Sequence, residues 1–366
     1  MTRQHSQSRN RQATRLDGLD LARFLAFIGM VIVNFRIVFS GDSATDTGTP
    51  GHILSLLEGR AAATFVVLAG IGLGLASQQV QQYSSAVSAL STVTLTLKRA
   101  AFLMALGLLN MLIFDADILH YYAVYFVFGA LLLTLRTGYL ITIIVCLNIL
   151  SVLLIFTLNF DTGWNYSDLS YQDFWTPEGF IRNLFFNGWH PVIPWLGYLL
   201  FGIILSRCPL QQRRTQWWLI AGGLAAIAEA ELISWILVPL FNNIDPELAE
   251  LVTTQAVPAM PLYILAGGGA AAALTGISLI LGQRLQHSSL LGYITPAGRH
   301  SMTLYIAHIL IGMGPAALLG AIGTLSVVTS LAAALLFCGL SLLFSYHWSR
   351  HFKRGPAESL MRRLAG

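Results

Sequence analysis

An all-α, polytopic membrane bundle of about ten transmembrane helices is what this sequence predicts, and three observations predict it. Of its 366 residues 55% are hydrophobic and only 10% are charged, whereas an ordinary soluble domain carries about a quarter charged residues. The apolar residues gather into windows of roughly 17 to 25, the length that crosses a bilayer as a helix. The loops between those windows alternate in charge, basic on one side and acidic on the other.

In chain order the windows fall near 20–40, 61–80, 99–115, 120–136, 138–159, 190–206, 216–240, 259–282, 297–318 and 323–346. The segment ahead of the first is polar and basic, with Arg3, Arg9, Arg11 and Arg15, and no small-residue cleavage site follows it, so no cleaved signal is expected. Lys98 and Arg99 precede span three, Arg136 separates spans four and five, and Arg207, Arg213 and Arg214 follow span six. Arg284 follows span eight, and Arg350, Lys353, Arg354, Arg362 and Arg363 follow span ten. The intervening loops carry Asp42, Asp46 and Glu58, then Asp115 and Asp117, then Asp161, Asp168, Asp173 and Glu178, then Asp245, Glu247 and Glu250. By the positive-inside rule the basic face is cytosolic, which puts both termini there. The division is a cytosolic N-terminal segment (1–18), a membrane domain (19–346) and a cytosolic basic tail (347–366), in a multi-pass protein of the plasma (inner) membrane.

A net charge of +4 reflects this insertion pattern. The basic residues are dispersed over short cytosolic segments, so nucleic acid is not an expected partner. Cys146, Cys208 and Cys338 are far apart and lack ligand spacing, so neither disulfides nor a metal are expected. The longest loop, 161–190, is too short for a soluble catalytic domain with its own core. Chemistry must therefore sit among the helices or at their mouths.

Polar residues at the outer mouths are the candidates. In DADILHYYAV (115–124) Asp117 and His120 share a helix face at i, i+3; they read either as a helix start or as a carboxylate orienting an imidazole for proton transfer. His190 opens span six in NGWHPVIPWLGYLLFG, where Pro191 fits a first helical turn and Trp195 an interfacial belt. His52 lies in the loop after span one. The three histidines on one face point to one extracytoplasmic cavity. Asn34, near the outer end of span one, needs partners inside the bundle, and Arg23 and Arg36 need the same or must snorkel. Glu229 and Glu231, two apart on span seven, point in different directions, so at least one faces the interior as a proton path or a buried hydrogen bond. The glycine runs AGIGLGL (69–75) and AGGGAAAAL (266–274) lie inside spans and predict close helix packing rather than phosphate loops.

Five stretches, in order, resemble the heparan-α-glucosaminide N-acetyltransferase-like family of transmembrane acyltransferases, including its short bacterial members. They are RLDGLDLARFLAFIGMVIVN (15–34), GRAAATFVVLAGIGLGL (59–75), DILHYYAV (117–124), HPVIPWLGYLLFGIILSR (190–207) and GRHSMTLYIAHIL (298–310). The resemblance implies acyl transfer from cytosolic acetyl-CoA, or another acyl-CoA, to a hydroxyl or amine of an extracytoplasmic saccharide-type acceptor. It maps catalytic roles onto Asn34 by motif and onto His52 by position. The family's lysosomal form has eleven spans and a lumenal N-terminal region that this chain lacks, and its loop around the histidine differs in length.

Acyl transfer needs a base or a nucleophile, and donors for the developing oxyanion. The assignment is His52 as base or transient acyl carrier, Asn34 as donor to the thioester oxygen, and Asp117, His120, His190 and Trp195 as orienting or acceptor-binding groups. Coenzyme A phosphates would lie near Arg299, His300, Lys98 or Arg99 at the cytosolic end. The expected partners are the lipid bilayer, a coenzyme A thioester and the acceptor, with a homodimer left open. The alternative is a secondary transporter of a small polar or charged solute, using Glu229, Arg23 and Arg36 as coupling charges.

Overall fold

The computed structural model describes residues 16–41, 57–83, 87–167 and 169–366. These form an all-α bundle with one two-residue strand pair in an outer loop. Helix α1 (Asp17–Ser40) is followed by α2 (Arg60–Tyr83), α3 (Val87–Asn110), α4 (Leu119–Leu132) and α5 (Thr137–Thr157). Strands β1 (Trp164–Asn165) and β2 (Ser170–Tyr171) pair antiparallel, with Trp164 opposite Tyr171. Then come α6 (Pro177–Arg182), which runs into a π-helical turn at Asn183–Asn187, α7 (Val192–Ser206), α8 (Arg213–Asn242), α9 (Pro246–Glu250) and α10 (Pro261–Arg284). The last part has α11 (Ser289–Arg299), α12 (Ser301–Ala307) with a π-helical continuation at His308–Met313, α13 (Gly314–Leu318), α14 (Val327–Ser349) and α15 (Pro356–Ala365).

Among the described residues seven helices, α1, α2, α3, α5, α8, α10 and α14, are long and apolar enough to cross a membrane, and an eighth span arises if the bent pair Pro177–Asn187 and Val192–Ser206 counts as one. The fourth and ninth expected spans are shorter apolar segments, Leu119–Leu132 and Ser301–Ala316. The difference from ten has local causes. Span six breaks by 52° where Gly188 to Pro191 interrupt the backbone ladder, since proline has no N–H to give. The ninth stretch changes pitch at His308.

α1 and α10 are the central helices, mostly buried along their apolar windows, while α5 and α8 leave most of theirs uncovered. Helix α8 carries exposed Trp217 and Trp218 toward one end and exposed Trp235 toward the other. About 26 Å of helix separates Trp218 from Trp235 at 1.5 Å per residue, close to the ~30 Å hydrocarbon core whose two edges attract tryptophan. Between helices the contact is backbone against backbone. A Cβ at Gly70 of α2 would lie 2.1 Å from the Leu199 carbonyl oxygen of α7, and one at Gly202 of α7 would lie 2.1 Å from that of Val67. Gly269 in the AGGGAAAAL run meets the Gly223 carbonyl of α8 in the same way, at 2.6 Å. Without a hydrophobic drive between helices in lipid, such approaches supply the dispersion that holds a bundle together.

Candidate active site

A cavity of about 1160 Å³ opens among α1, α2, the turn between α3 and α4, α7, α8 and α12. Its wall is part aromatic, from Phe114, Tyr166, Trp189, Trp195 and Tyr305, and part charged, from Glu58, Arg60, Asp115 and Glu231. Gly41 and Leu57, which flank the segment holding His52, also line it. His52 itself lies outside the described residues.

Asn34 sits in this wall, and its partner is a residue that reading the sequence assigned no role. The Asn34 Nδ2 group is 3.0 Å from Nε2 of His308, and His308 Nδ1 is in hydrogen-bond contact with the Tyr305 carbonyl. A carbonyl can only accept, so Nδ1 carries the ring proton and Nε2 is the lone pair that accepts from the Asn34 amide. His308 is fully buried. A histidine in the apolar run LYIAHILIGM was the available signal, since such a residue must find a polar partner inside the bundle.

The tight turn between α3 and α4 is fixed by Asp117. Its Oδ2 accepts from the Leu119 backbone N–H at 2.7 Å, the His120 N–H at 3.2 Å and His120 Nδ1 at 3.1 Å, and its Oδ1 accepts from Asn110 at 2.8 Å and the Tyr305 hydroxyl at 3.0 Å. This satisfies a fully buried carboxylate with five donors. Asp117 thus bonds both the first N–H groups of α4 and the His120 ring, and Tyr305 links the turn to His308. His120, however, is fully buried and does not line the cavity. Its ring is packed against Tyr121, 3.9 Å between centroids, and Phe174.

His190 does line the cavity, held by the Tyr125 hydroxyl donating to its carbonyl at 2.5 Å and by edge-on packing against Trp195 at 4.6 Å. Its Nδ1 has no hydrogen-bond partner among the described residues. Trp195 is fully buried rather than interfacial, because the bend before α7 turns it into the bundle. Over the mouth lies the loop that carries β1 and β2. Asn187 ties it down, donating to the carbonyls of Phe160 at 2.6 Å and Thr162 at 2.9 Å and accepting from the Tyr171 hydroxyl at 2.7 Å. Tyr166 of this loop lines the cavity and donates to Asp161 at 2.6 Å. Burial, then that carboxylate, raises its phenol pKa, which keeps Tyr166 a donor rather than a base.

The charges expected to be costly in the membrane are paired. Arg23 binds Asp20 at 2.6 Å, Arg36 binds Glu58, and Arg60 binds Glu231, which also accepts from Thr254 at 3.0 Å. Of the two glutamates on α8, Glu231 faces the cavity as a hydrogen-bonded ion pair and Glu229 is exposed. At the far end of the bundle His300 is buried, Arg99 and Arg299 are partly covered and Lys98 is exposed. No group of three or more potential metal ligands occurs among the described residues.

Two family models match the chain. One, described as heparan-alpha-glucosaminide N-acetyltransferase, catalytic, matches residues 15–238, and one described as a protein of unknown function, DUF418, matches residues 203–366. No curated protein matches it. The first match takes in Asn34, the Asp117 turn, His190 and Trp195, and since it covers more than half of the sequence, this chain belongs to the heparan-alpha-glucosaminide N-acetyltransferase catalytic family of transmembrane acyltransferases.

Proposed function

We propose that the protein moves an acyl group, acetyl in the first instance, from cytosolic acyl-CoA to a hydroxyl or amine of a saccharide-type acceptor held in the outer cavity, in the plasma membrane. The observation that carries this reading is the Asn34–His308 pair at the cavity wall. With one amide N–H given to His308 Nε2, the second N–H of Asn34 is fixed in direction and free to donate to a thioester oxygen. His52, in the segment between two cavity-lining residues, acts as the base. It takes the proton from the acceptor, the acceptor oxygen or nitrogen attacks the thioester carbon, and the oxyanion draws on Asn34. As the C–S bond breaks, the thiolate leaves and recovers the proton from the imidazolium, giving the acylated acceptor and free coenzyme A. Aromatic faces beside carboxylates suit a sugar ring and its hydroxyls or amine, with Trp189, Trp195 and Tyr166 as platforms and Glu231 and Asp115 as acceptors.

The two ends of the reaction are well separated. Asp20, whose backbone packs on Gly298 beside Arg299, is about 21 Å along α1 from Asn34 at 1.5 Å per residue, a span suited to a long donor arm entering from the cytosol. The transporter alternative gains little, because Arg23 and Arg36 are each committed to an ion pair and Glu229 is exposed. Purified protein in sealed vesicles, with acetyl-CoA on one side and amino or neutral sugars on the other, tests the proposal. Transfer is expected for the wild type, and His52→Ala should lose it while still binding coenzyme A. Full transfer by that variant would remove His52 from the mechanism. Solute flux without coenzyme A binding would favour the transporter.

A further inference from the structure

Helix α15 docks at the end of the bundle away from the cavity. Its anchor is Glu358, whose Oε1 accepts from the backbone N–H groups of Met302 at 2.9 Å and Thr303 at 3.1 Å, and whose Oε2 accepts from the Thr303 hydroxyl at 2.5 Å. Thr303 Oγ1 accepts in turn from the Ala357 N–H at 3.0 Å. These bonds satisfy orphan donors in the first turn of α12 with a carboxylate, the charge that turn favours. At its other end α15 meets α3, where a Cβ on Gly366 would stand 3.3 Å from Leu95 Cδ1.

Helix periodicity then brings arginines together. One turn on from Leu95 is Arg99, and one turn back from Gly366 is Arg362, on the same face of α15 as Glu358. Arg354 precedes the helix, held where its carbonyl accepts from Trp348 Nε1 at 2.8 Å. Both Arg354 and Arg362 lie within electrostatic reach of Arg99. None of the three is paired with a carboxylate among the described residues, and the Arg99 Nε is buried without a hydrogen-bond partner. Arg354 and Arg362 are exposed and Arg99 is partly covered; like charges gathered at one place repel one another, most strongly where one of them is covered by protein, so the arrangement favours an anion. Nearby His300, two residues from the Met302 N–H that Glu358 holds, is buried with neither ring nitrogen bonded among the described residues, which leaves this end short of a polar partner.

We propose that Arg99, Arg354 and Arg362 form a phosphate-binding cluster for the coenzyme A thioester, and that α15 is the element that completes it. The inference rests on the donor reading above and adds to it two residues, Arg354 and Arg362, and the C-terminal helix. Arginine clusters suit phosphate because each guanidinium can place two N–H groups on two oxygens. A lipid headgroup offers the same chemistry. Arg99, however, stands roughly 9 Å inside the start of the apolar stretch Val93–Asn110 and is partly covered by protein, which suits a ligand that enters the bundle better than one confined to the membrane surface.

The test uses the full chain in detergent and in nanodiscs with and without phosphatidylglycerol. Arg362→Ala and Arg354→Ala are each expected to weaken coenzyme A binding about tenfold or more. Arg362→Lys should recover part of the loss, and Glu358→Gln, which loosens the helix, should reproduce it. The preference for acetyl-CoA over acetylated pantetheine, which has no phosphate, should fall at least tenfold in the alanine variants, a change that general loss of folding does not produce. Unchanged coenzyme A affinity in folded Arg362→Ala and Arg354→Ala overturns the proposal. So does an effect of these substitutions confined to phosphatidylglycerol nanodiscs, which assigns the cluster to lipid. A wild type that binds no coenzyme A at all brings down the donor reading as well, and is thereby told apart from a wild type that binds it without using the cluster.

Discussion

Asn34 is the residue that the sequence marks most clearly, because an amide near the end of an apolar span has to be satisfied by protein. Its partner was not legible, since His308 is 274 positions away and no local pattern connects the two. Reading the sequence placed His120 and His190 in one cavity with His52. Of His120 and His190 the structure seats His190 there and not His120, because Asp117 Oδ2 draws the His120 ring inward beneath Tyr121. If His308 acts by holding the Asn34 amide, their effects on transfer are not additive. Asn34→Ala is expected to slow transfer about 10²- to 10³-fold, the range for loss of one oxyanion donor, with coenzyme A affinity kept. His308→Ala should slow it less, and the double variant should be no slower than Asn34→Ala alone. Transfer rates of the three variants check this, and multiplying losses would show that His308 acts on the chemistry independently.

At the scale of elements, the long apolar windows were legible because composition alone sets them, and the glycine runs were correctly read as packing surfaces. The broken spans were not. In the stretch from Pro177 to Ser206 the sequence suggested a loop followed by one helix, whereas α6 and its π-helical turn belong to the same bent unit, and the Asn187 bonds that fix the bend reach back to residues 160 and 162. The contact of α2 with α7 offers a direct test of the packing. Gly70→Ala would drive a methyl into the Leu199 carbonyl, which neither backbone can yield to cheaply, and is expected to cost about 2 kcal/mol or more. Gly222→Ala, where a Cβ meets nothing within 4 Å, should change stability by no more than ~1 kcal/mol, and in the favourable direction from helix propensity. Melting of both variants in one detergent decides it, and equal melting temperatures would mean that α2 and α7 do not touch in the membrane.

For the whole molecule, orientation follows from charge rather than from contacts, so it is the property that the sequence addresses best. The loops holding Asp161, Asp173, Glu247 and Glu250 lie on the side of the cavity mouth, and the arginines of α15 lie at the other end of the bundle. The retention of Lys and Arg at the cytosolic ends of spans during insertion is therefore expected to put the cavity outside and the arginine cluster inside, the arrangement that the proposed cytosolic donor needs. The exposed tryptophans of α8 set the depth, so that position 247 clears one membrane edge and position 354 the other. Single cysteines at these two exposed positions, in a background without Cys146, Cys208 and Cys338, should respond oppositely to an impermeant thiol reagent. The cysteine at 247 is expected to label in intact cells, and the one at 354 only after permeabilisation. The reverse pattern would put the cavity in the cytosol and remove the reason for carrying an acyl group across the bundle. Labelling of both in intact cells would require an odd number of membrane crossings to be gained or lost between residues 247 and 354, and α10, the ninth apolar stretch and α14 are the segments to re-examine.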